Sequence, residues 1–442
     1  MGDLSQALAT INAVLWNETW ILIIAGTGVM FTVWSGFLQY RALTHGPKVV
    51  RGVYDDPNDP GAINHFQALS AALSGTVGLG NIGGVALAIM LGGPGAIFWM
   101  WIVGLLGMSI KFVEVTLSML YRNTDDPDNP HGGPMWVAGR ALKKIKPELG
   151  WLGTALAFLF SFCVMVSSGT GGNMFQAWNV ADITNEYFGV AGWITGVILT
   201  LIVGVVLIGG IKRIGRVTGT LVPAMVLIYV IAGFYVLFAN IGQVPDMLKL
   251  IVVSAFAPTE ATGAFVGGTV ASAFLFGMKR AVFSNEAGQG SSAIAHAAAK
   301  TDEPVREGLV GGMEPFIDTI VVCTFTALII LSTGIWNRAP DVAFDTLPEP
   351  VQTESGWQYP DTSLPAGEWQ DQEALLMIVN AGENAATGQN VHRIGAIVTD
   401  TGSGFIAKWQ SLDTDQRPQI VGGGFYQDHV GATLTAKAFD SV

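Results

Sequence analysis

The sequence predicts an all-α membrane protein that carries a small extramembrane insert with β-strands. Three observations predict it. Half of the 442 residues are hydrophobic and only 13% are charged, against about 25% in ordinary soluble chains, and mean hydropathy is +0.46. Apolar runs near the ~20 residues needed to cross a bilayer recur between residues 17 and 334. From Asn337 to His429 the chain turns polar and acidic, with Pro340, Pro348, Pro350, Pro360 and Pro365 in its opening part and no run able to span.

The runs fall at about 17–40, 67–91, 95–120, 150–172, 190–210, 217–239, 264–283 and 313–334. They give about eight transmembrane helices within a region of residues 1–336. The stretch from Gly242 to Pro258 is apolar but short, and reads as interfacial or re-entrant. The second run is the most informative. Its centre, Gly75-Thr76-Val77-Gly78-Leu79-Gly80-Asn81-Ile82-Gly83-Gly84, holds five glycines in ten residues. Each glycine destabilises a helix interior by roughly 1 kcal/mol relative to alanine. A break facing lipid would strand backbone N–H and C=O groups in hydrocarbon, so broken backbone belongs in a cavity. Secondary transporters use such breaks to offer half-helix ends to a substrate and carbonyls to a cation. A transporter is the function these residues predict.

Orientation follows from the basic residues. Alternate loops carry Arg41, Lys48 and Arg51; Arg122, Arg140, Lys143, Lys144 and Lys146; Lys212, Arg213 and Arg216; and Lys279, Arg280, Lys300 and Arg306. The opposite loops before Gly334 carry only Lys249. The first set is predicted cytoplasmic, which puts the N-terminus and residues 337–429 outside a multi-pass chain of the plasma (inner) membrane. Within the insert, the alternation in Ile394-Gly395-Ala396-Ile397-Val398 predicts strands. Residues 430–442 read as the lead-in to a further helix, so the set of helices is predicted to be incomplete.

Other classes lack the residues they need. A net charge of −12 argues against nucleic-acid binding. Cys163 and Cys323 both lie in apolar spans, with no disulfide or metal spacing. Gly78-Leu79-Gly80-Asn81-Ile82-Gly83 fits the dinucleotide pattern GxGxxG, but no acidic residue follows at the required distance. No HExxH, GxSxG or Walker-type loop is present, so neither an enzyme nor a cofactor is expected. His131 and His296 read as loop residues without partners at ligand spacing. Lys111 and Glu114, at i and i+3, are expected to pair with each other. Asp318 is open between a cation pathway and an ion pair with Lys279 or Arg280. Glu286 is expected to stabilise a turn at the cytoplasmic mouth, with Asn285 beside it as a possible gate.

Three blocks carry a family resemblance. They are Gly92-Gly93-Pro94-Gly95-Ala96-Ile97-Phe98-Trp99-Met100-Trp101 with Lys111-Phe112-Val113-Glu114-Val115-Thr116-Leu117; Lys279-Arg280-Ala281-Val282-Phe283-Ser284-Asn285-Glu286-Ala287-Gly288-Gln289-Gly290-Ser291; and Phe316-Ile317-Asp318-Thr319-Ile320-Val321-Val322-Cys323-Thr324. Over roughly residues 15–334 the chain resembles the alanine/glycine:cation (sodium:alanine) symporters. The resemblance implies a LeuT-like fold of two inverted five-helix repeats behind one extra N-terminal helix. Spans 67–91 and 264–283 would open the two repeats. The acidic insert has no counterpart in shorter family members, and this chain stops where those continue into three more helices.

Val77-Gly78-Leu79-Gly80-Asn81 is also similar to the broken first helix of neurotransmitter:sodium symporters, although Ile-Gly-Gly-Val follows where that family has Trp-Arg-Phe-Pro. The resemblance implies that Leu79 and Gly80 offer N–H groups to a substrate carboxylate. Thr76 with Asn81, and Ser74 with Val77, would offer oxygens to cations. Gly171-Gly172-Asn173-Met174-Phe175-Gln176 resembles a family segment whose glutamine touches substrate, which implies an amino- or carboxylate-binding Gln176. Gly263 to Thr269 would be the second break, with Phe265 walling a small pocket beside Gly268 and Thr269. Many alanine carriers have threonine where Leu79 stands here, which leaves the choice of amino acid open. The implied function is Na⁺-coupled symport of alanine, glycine or serine by alternating access, with H⁺ as the alternative coupling ion. A proton-coupled permease, an amino-acid sensor using the outer domain and a passive channel are the competing readings.

Overall fold

The computed structural model describes residues 17–259, 265, 267–353, 356–365, 367, 369–382, 390–402, 404–429 and 431–442. The expected placement of the N-terminus, and Gly263, Ala264 and Val266 of the second break, lie outside these residues. The chain divides into two compact units. One comprises Met1–Gly84, Met100–Tyr235 and Met278–Thr326; the other comprises Val85–Trp99, Val236–Gly277 and Ala327–Val442.

The chain is mainly helical. In order the helices are α1 Glu18–Trp34, α2 Leu38–Val50, α3 His65–Thr76, α4 Leu79–Gly92, α5 Gly95–Tyr121, α6 Pro134–Ile145, α7 Gly150–Gly169, α8 Phe175–Phe188, α9 Gly192–Leu207, α10 Gly210–Ala239, α11 Val244–Ser254, α12 Val270–Asn285, α13 Ser291–His296, α14 Pro304–Gly311, α15 Thr324–Ser332 and α16 Ala432–Asp440. Among the described residues four helical rods are long and apolar enough to cross a membrane, or six if each bent pair counts as one span. This is fewer than the eight expected, because the first two runs bend and two others form short helices. The first run does not continue to residue 40: Gly36 and Phe37 both take left-handed backbone and turn the chain by 74° between α1 and α2. Helix α9 is apolar but only 16 residues long, and α12, in the run expected at 264–283, is also 16 residues. The stretch expected to be interfacial or re-entrant forms the 11-residue helix α11.

The predicted break in the second run is present. Asn64 caps α3 through a reciprocal pair with Gln67, at 2.8 Å and 3.2 Å, the arrangement that satisfies two otherwise orphaned donors. Val77 is extended (φ −82°, ψ 104°), and α4 departs at 41° from α3. Two further irregularities were silent in the sequence. Thr170–Met174 joins α7 to α8 as a π-helical turn, and Phe316–Cys323 joins the α14 rod to α15 in the same way. Such turns are rare and concentrate at functional sites.

Small residues bring the helices of the first unit together. A side chain at Gly308 would collide with Thr116 and Phe112, and one at Gly104 would press on Thr319 at 3.1 Å. Close approach of this kind holds helices together in lipid, where apolar burial supplies little driving force.

The polar segment contains the expected strands. β1 Val342–Ala343, β4 Thr362–Ser363, β5 Ala374–Asn380, β6 Val391–Asp400, β7 Phe405–Trp409 and β8 Gln419–Gln427 form an antiparallel sheet in the order β1-β8-β5-β6-β7-β4. β2 Val351–Thr353 and β3 Gly356–Gln358 form a separate pair. β5 is central and covered on both faces. Leu375, Met377 and Val379 join the main core with Trp409 and Phe425, while Leu376 and Ile378 pack with Tyr426 on the other side. That explains why its sequence is an unbroken apolar run.

Candidate functional site

The break between α3 and α4 opens onto a cavity of about 680 Å³ within the first unit, lined among others by Thr76, Gly80, Cys163, Gln176, Ser284 and Glu286. Three features of its wall suit a ligand. Thr76 is only 3% exposed, yet its hydroxyl has no hydrogen-bond partner among the described residues. A buried polar atom left this way costs about 1–3 kcal/mol, a cost that a bound ligand removes. Among the described residues, the N–H groups of Leu79 and Gly80 at the start of α4 have no backbone acceptor. Free amides and the helix dipole there favour an anion. Gly80 leaves room, since a Cβ built on it meets no atom within 4 Å.

Behind Ser284 lies a carboxylate with an unusual set of neighbours. Asp318 is wholly buried. It accepts hydrogen bonds from Asn81 Nδ2 at 2.5 Å, Ser284 Oγ at 2.9 Å and Thr319 Oγ1 at 2.8 Å. Among the described residues no ion pair joins it to Lys279 or Arg280, so of the two readings the ion pair is not what the fold builds. Asn81 is held from both ends, because its Oδ1 accepts the Gly78 N–H at 2.7 Å. The adjacent Asn285 donates to Thr319 Oγ1 at 3.2 Å and accepts from Ala287 N–H at 3.0 Å. Glu286 sits in left-handed backbone (φ +53°), and its carboxylate accepts from Ser291. Non-glycine residues held there are uncommon and cluster at functional sites.

The remaining candidates are placed differently. Ser74 is exposed and donates to Ala71 O at 2.6 Å. Val77 is buried against Leu73, Val222 and Val322. Neither lines the cavity, and nor does Leu79. Phe265, Gly268 and Thr269 belong to the second unit. There Phe265 stacks on Trp336, Gly268 exchanges backbone bonds with Thr259, and Thr269 forms a reciprocal cap with Ser272 ahead of α12.

Two sequence expectations are corrected. Lys111 does not take Glu114 as its ion-pair partner. It pairs with Glu314 at 3.3 Å and donates to Ser292. His296 is not a partnerless loop residue. It ends α13 wholly buried, with Nδ1 against Glu307 and Nε2 2.5 Å from Glu314. Burial by itself lowers its basicity, but the facing Glu314 and Glu307 carboxylates outweigh that and push its pKa up to about 9. A signal for this cluster existed: Glu307, Glu314 and Asp318 are spaced i, i+7 and i+11, which puts them on one helical stripe.

Comparisons with known proteins point to one family. The sodium:alanine symporter family matches residues 1–357. A sodium/alanine symporter, AgcS, from Methanococcus maripaludis is 42% identical over 333 residues, covering 75% of this chain and 72% of that protein. A putative sodium/proton-dependent alanine carrier, YrbD, from Bacillus subtilis is 36% identical, covering 77% and 67%. A probable sodium/glutamine symporter, GlnT, from the same organism is 37% identical, covering 76% and 67%.

Proposed function

Because the chain belongs to the sodium:alanine symporter family, we propose that it carries a small neutral amino acid with Na⁺ across the plasma membrane by alternating access. The observation that carries this reading is the wholly buried Asp318 carboxylate, held by neutral donors one residue's depth behind a cavity at a helix break. An isolated buried carboxylate is costly, and a cation brought to it offsets that cost.

The geometry supports a set of residue roles. Na⁺ takes oxygens from Asp318 and its neighbours Ser284 and Thr319, with Thr76 as a further ligand from the cavity wall. Asn81 orients the Asp318 carboxylate and turns its own oxygen to the ion on binding. The amino-acid carboxylate docks on the Gly80 amide at the start of α4, and Gln176 receives a polar group of the substrate from the π-turn side. A substrate carboxylate and Na⁺ lying close together strengthen each other's binding, which is the coupling that symport needs. The basic-residue distribution supports an outer location for residues 337–429.

Cys163 allows a test without engineering, since it is exposed in the cavity wall and the other cysteine, Cys323, is buried. Alanine with Na⁺ is expected to slow maleimide labelling of Cys163 severalfold, with either one alone giving less protection. A labelling rate unchanged by both together would place the substrate elsewhere.

A further inference from the structure

Among the described residues, the largest collection of buried ionisable side chains takes no part in the site assigned above. It forms one row through the first unit: Asp55, His65, Glu307, His296, Glu314 and Lys111. His65 Nε2 lies 3.5 Å from Asp55, and its Nδ1 meets one oxygen of Glu307. The other Glu307 oxygen meets His296 Nδ1, and His296 Nε2 lies 2.5 Å from Glu314. The second Glu314 oxygen faces Lys111 Nζ at 3.3 Å. From His65 to Lys111 every member is at most 2% exposed.

Both ends of the row lead somewhere. The Asp55 side chain is 44% exposed and lines a solvent pocket with Asp56, Asp59, Asp302 and Arg306. Lys111 donates to Ser292, whose neighbour Ser291 lines the ligand cavity together with Glu286. Other charges face the row as well. Arg122, with Asp59 and Asp302 near it, stands towards Glu307, while Glu114 and Glu286 stand towards Lys111.

Two features distinguish this row from a cluster that only holds helices together. Each imidazole nitrogen faces a carboxylate, three of them in hydrogen bonds and His65 Nε2 across 3.5 Å from Asp55 without one. Each ring can therefore take a proton on one side and release one on the other once Asp55 closes that gap. In addition, Glu114 Oε2, beside Lys111, accepts no hydrogen bond among the described residues, and Glu314 Oε2 is held by its ion pair with Lys111 alone. A purely structural cluster gains about 1–3 kcal/mol by giving an acceptor such as Glu114 Oε2 a donor. Chains of Asp, Glu and His in membrane segments are the usual material of proton relays.

We propose that this row is a proton pathway, entered from solvent at Asp55 and ending at Lys111 behind the cavity wall, and that a proton moves along it in the transport cycle. The proton taken up at Asp55 passes to His65 Nε2, and His65 releases its Nδ1 proton to Glu307. Glu307 protonates His296 Nδ1, His296 releases its Nε2 proton to Glu314, and Glu314 replaces a proton that Lys111 gives up towards Ser292. Tautomer exchange resets the two rings, so the row's proton count is unchanged.

The proposal rests on the symport reading, and one experiment separates the two. Proteoliposomes with a pH-sensitive dye inside are given labelled alanine and a Na⁺ gradient, using the wild type, Asp55→Asn and Glu307→Gln. The lumenal pH change per alanine taken up is expected to fall severalfold in Asp55→Asn and to vanish in Glu307→Gln. Uptake without any pH change, or an unchanged ratio in both variants, would overturn the pathway. Absence of wild-type uptake would instead overturn symport. The pathway is then decided by an infrared pH titration of the purified chain: a carboxyl C=O band that Glu307→Gln removes is expected, and no such band overturns it.

Discussion

Asp318→Asn is expected to raise the Na⁺ concentration needed for half-maximal alanine uptake by roughly 100-fold, the scale of losing one partner from a buried charge pair. The substitution keeps the side chain's shape and removes only its charge. Ser284 and Thr319 can turn their hydroxyls to accept from the new amide, so the fold has a way to adjust. The carboxylate is therefore tested as a cation ligand rather than as a packing element. Abundance and melting temperature should stay near the wild type while the Na⁺ dependence moves. An unchanged Na⁺ dependence in a well-folded variant would remove Asp318 from the cation site.

Gly80→Leu is expected to cut alanine uptake by more than about tenfold while leaving the folded chain intact. The reason is geometric. A Cβ at this position meets no protein atom within 4 Å, so the added side chain extends into the cavity that the substrate needs. Replacing glycine in a helix also lowers the entropy cost of folding, an effect of roughly 0.5–1 kcal/mol in favour of the variant. Loss of uptake with an equal or higher melting temperature is the predicted signature. Full activity would mean that the substrate does not approach the start of α4.

Local features of this chain were legible in its sequence, and long-range ones were not. Glycines at 75, 78, 80, 83 and 84 announced the break, because each weakens a helix interior. The break itself is confined to Val77 and Gly78, while Gly80, Gly83 and Gly84 lie within α4. The apolar run Leu375 to Val379 and the alternation around Ile394 announced strands for the same kind of local reason. By contrast, Asn81 meets Asp318 across 237 positions and His65 meets Glu307 across 242. Nothing in a local window joins such pairs. Lys111 was assigned to Glu114 because helical spacing offers i+3 first, but the fold supplies Glu314 instead. The early end of α1 at Trp34 was missed because the turn depends on Phe37 adopting a backbone conformation that its residue type disfavours.

The central claim is that the cavity at the α3–α4 break binds an amino acid together with Na⁺ and that the chain moves both. Labelled-alanine uptake into proteoliposomes, with an inward Na⁺ gradient and then with none, tests it most directly. Accumulation above equilibrium that requires the gradient is the predicted result. Equal uptake under both conditions, or none from a folded and inserted protein, would contradict it.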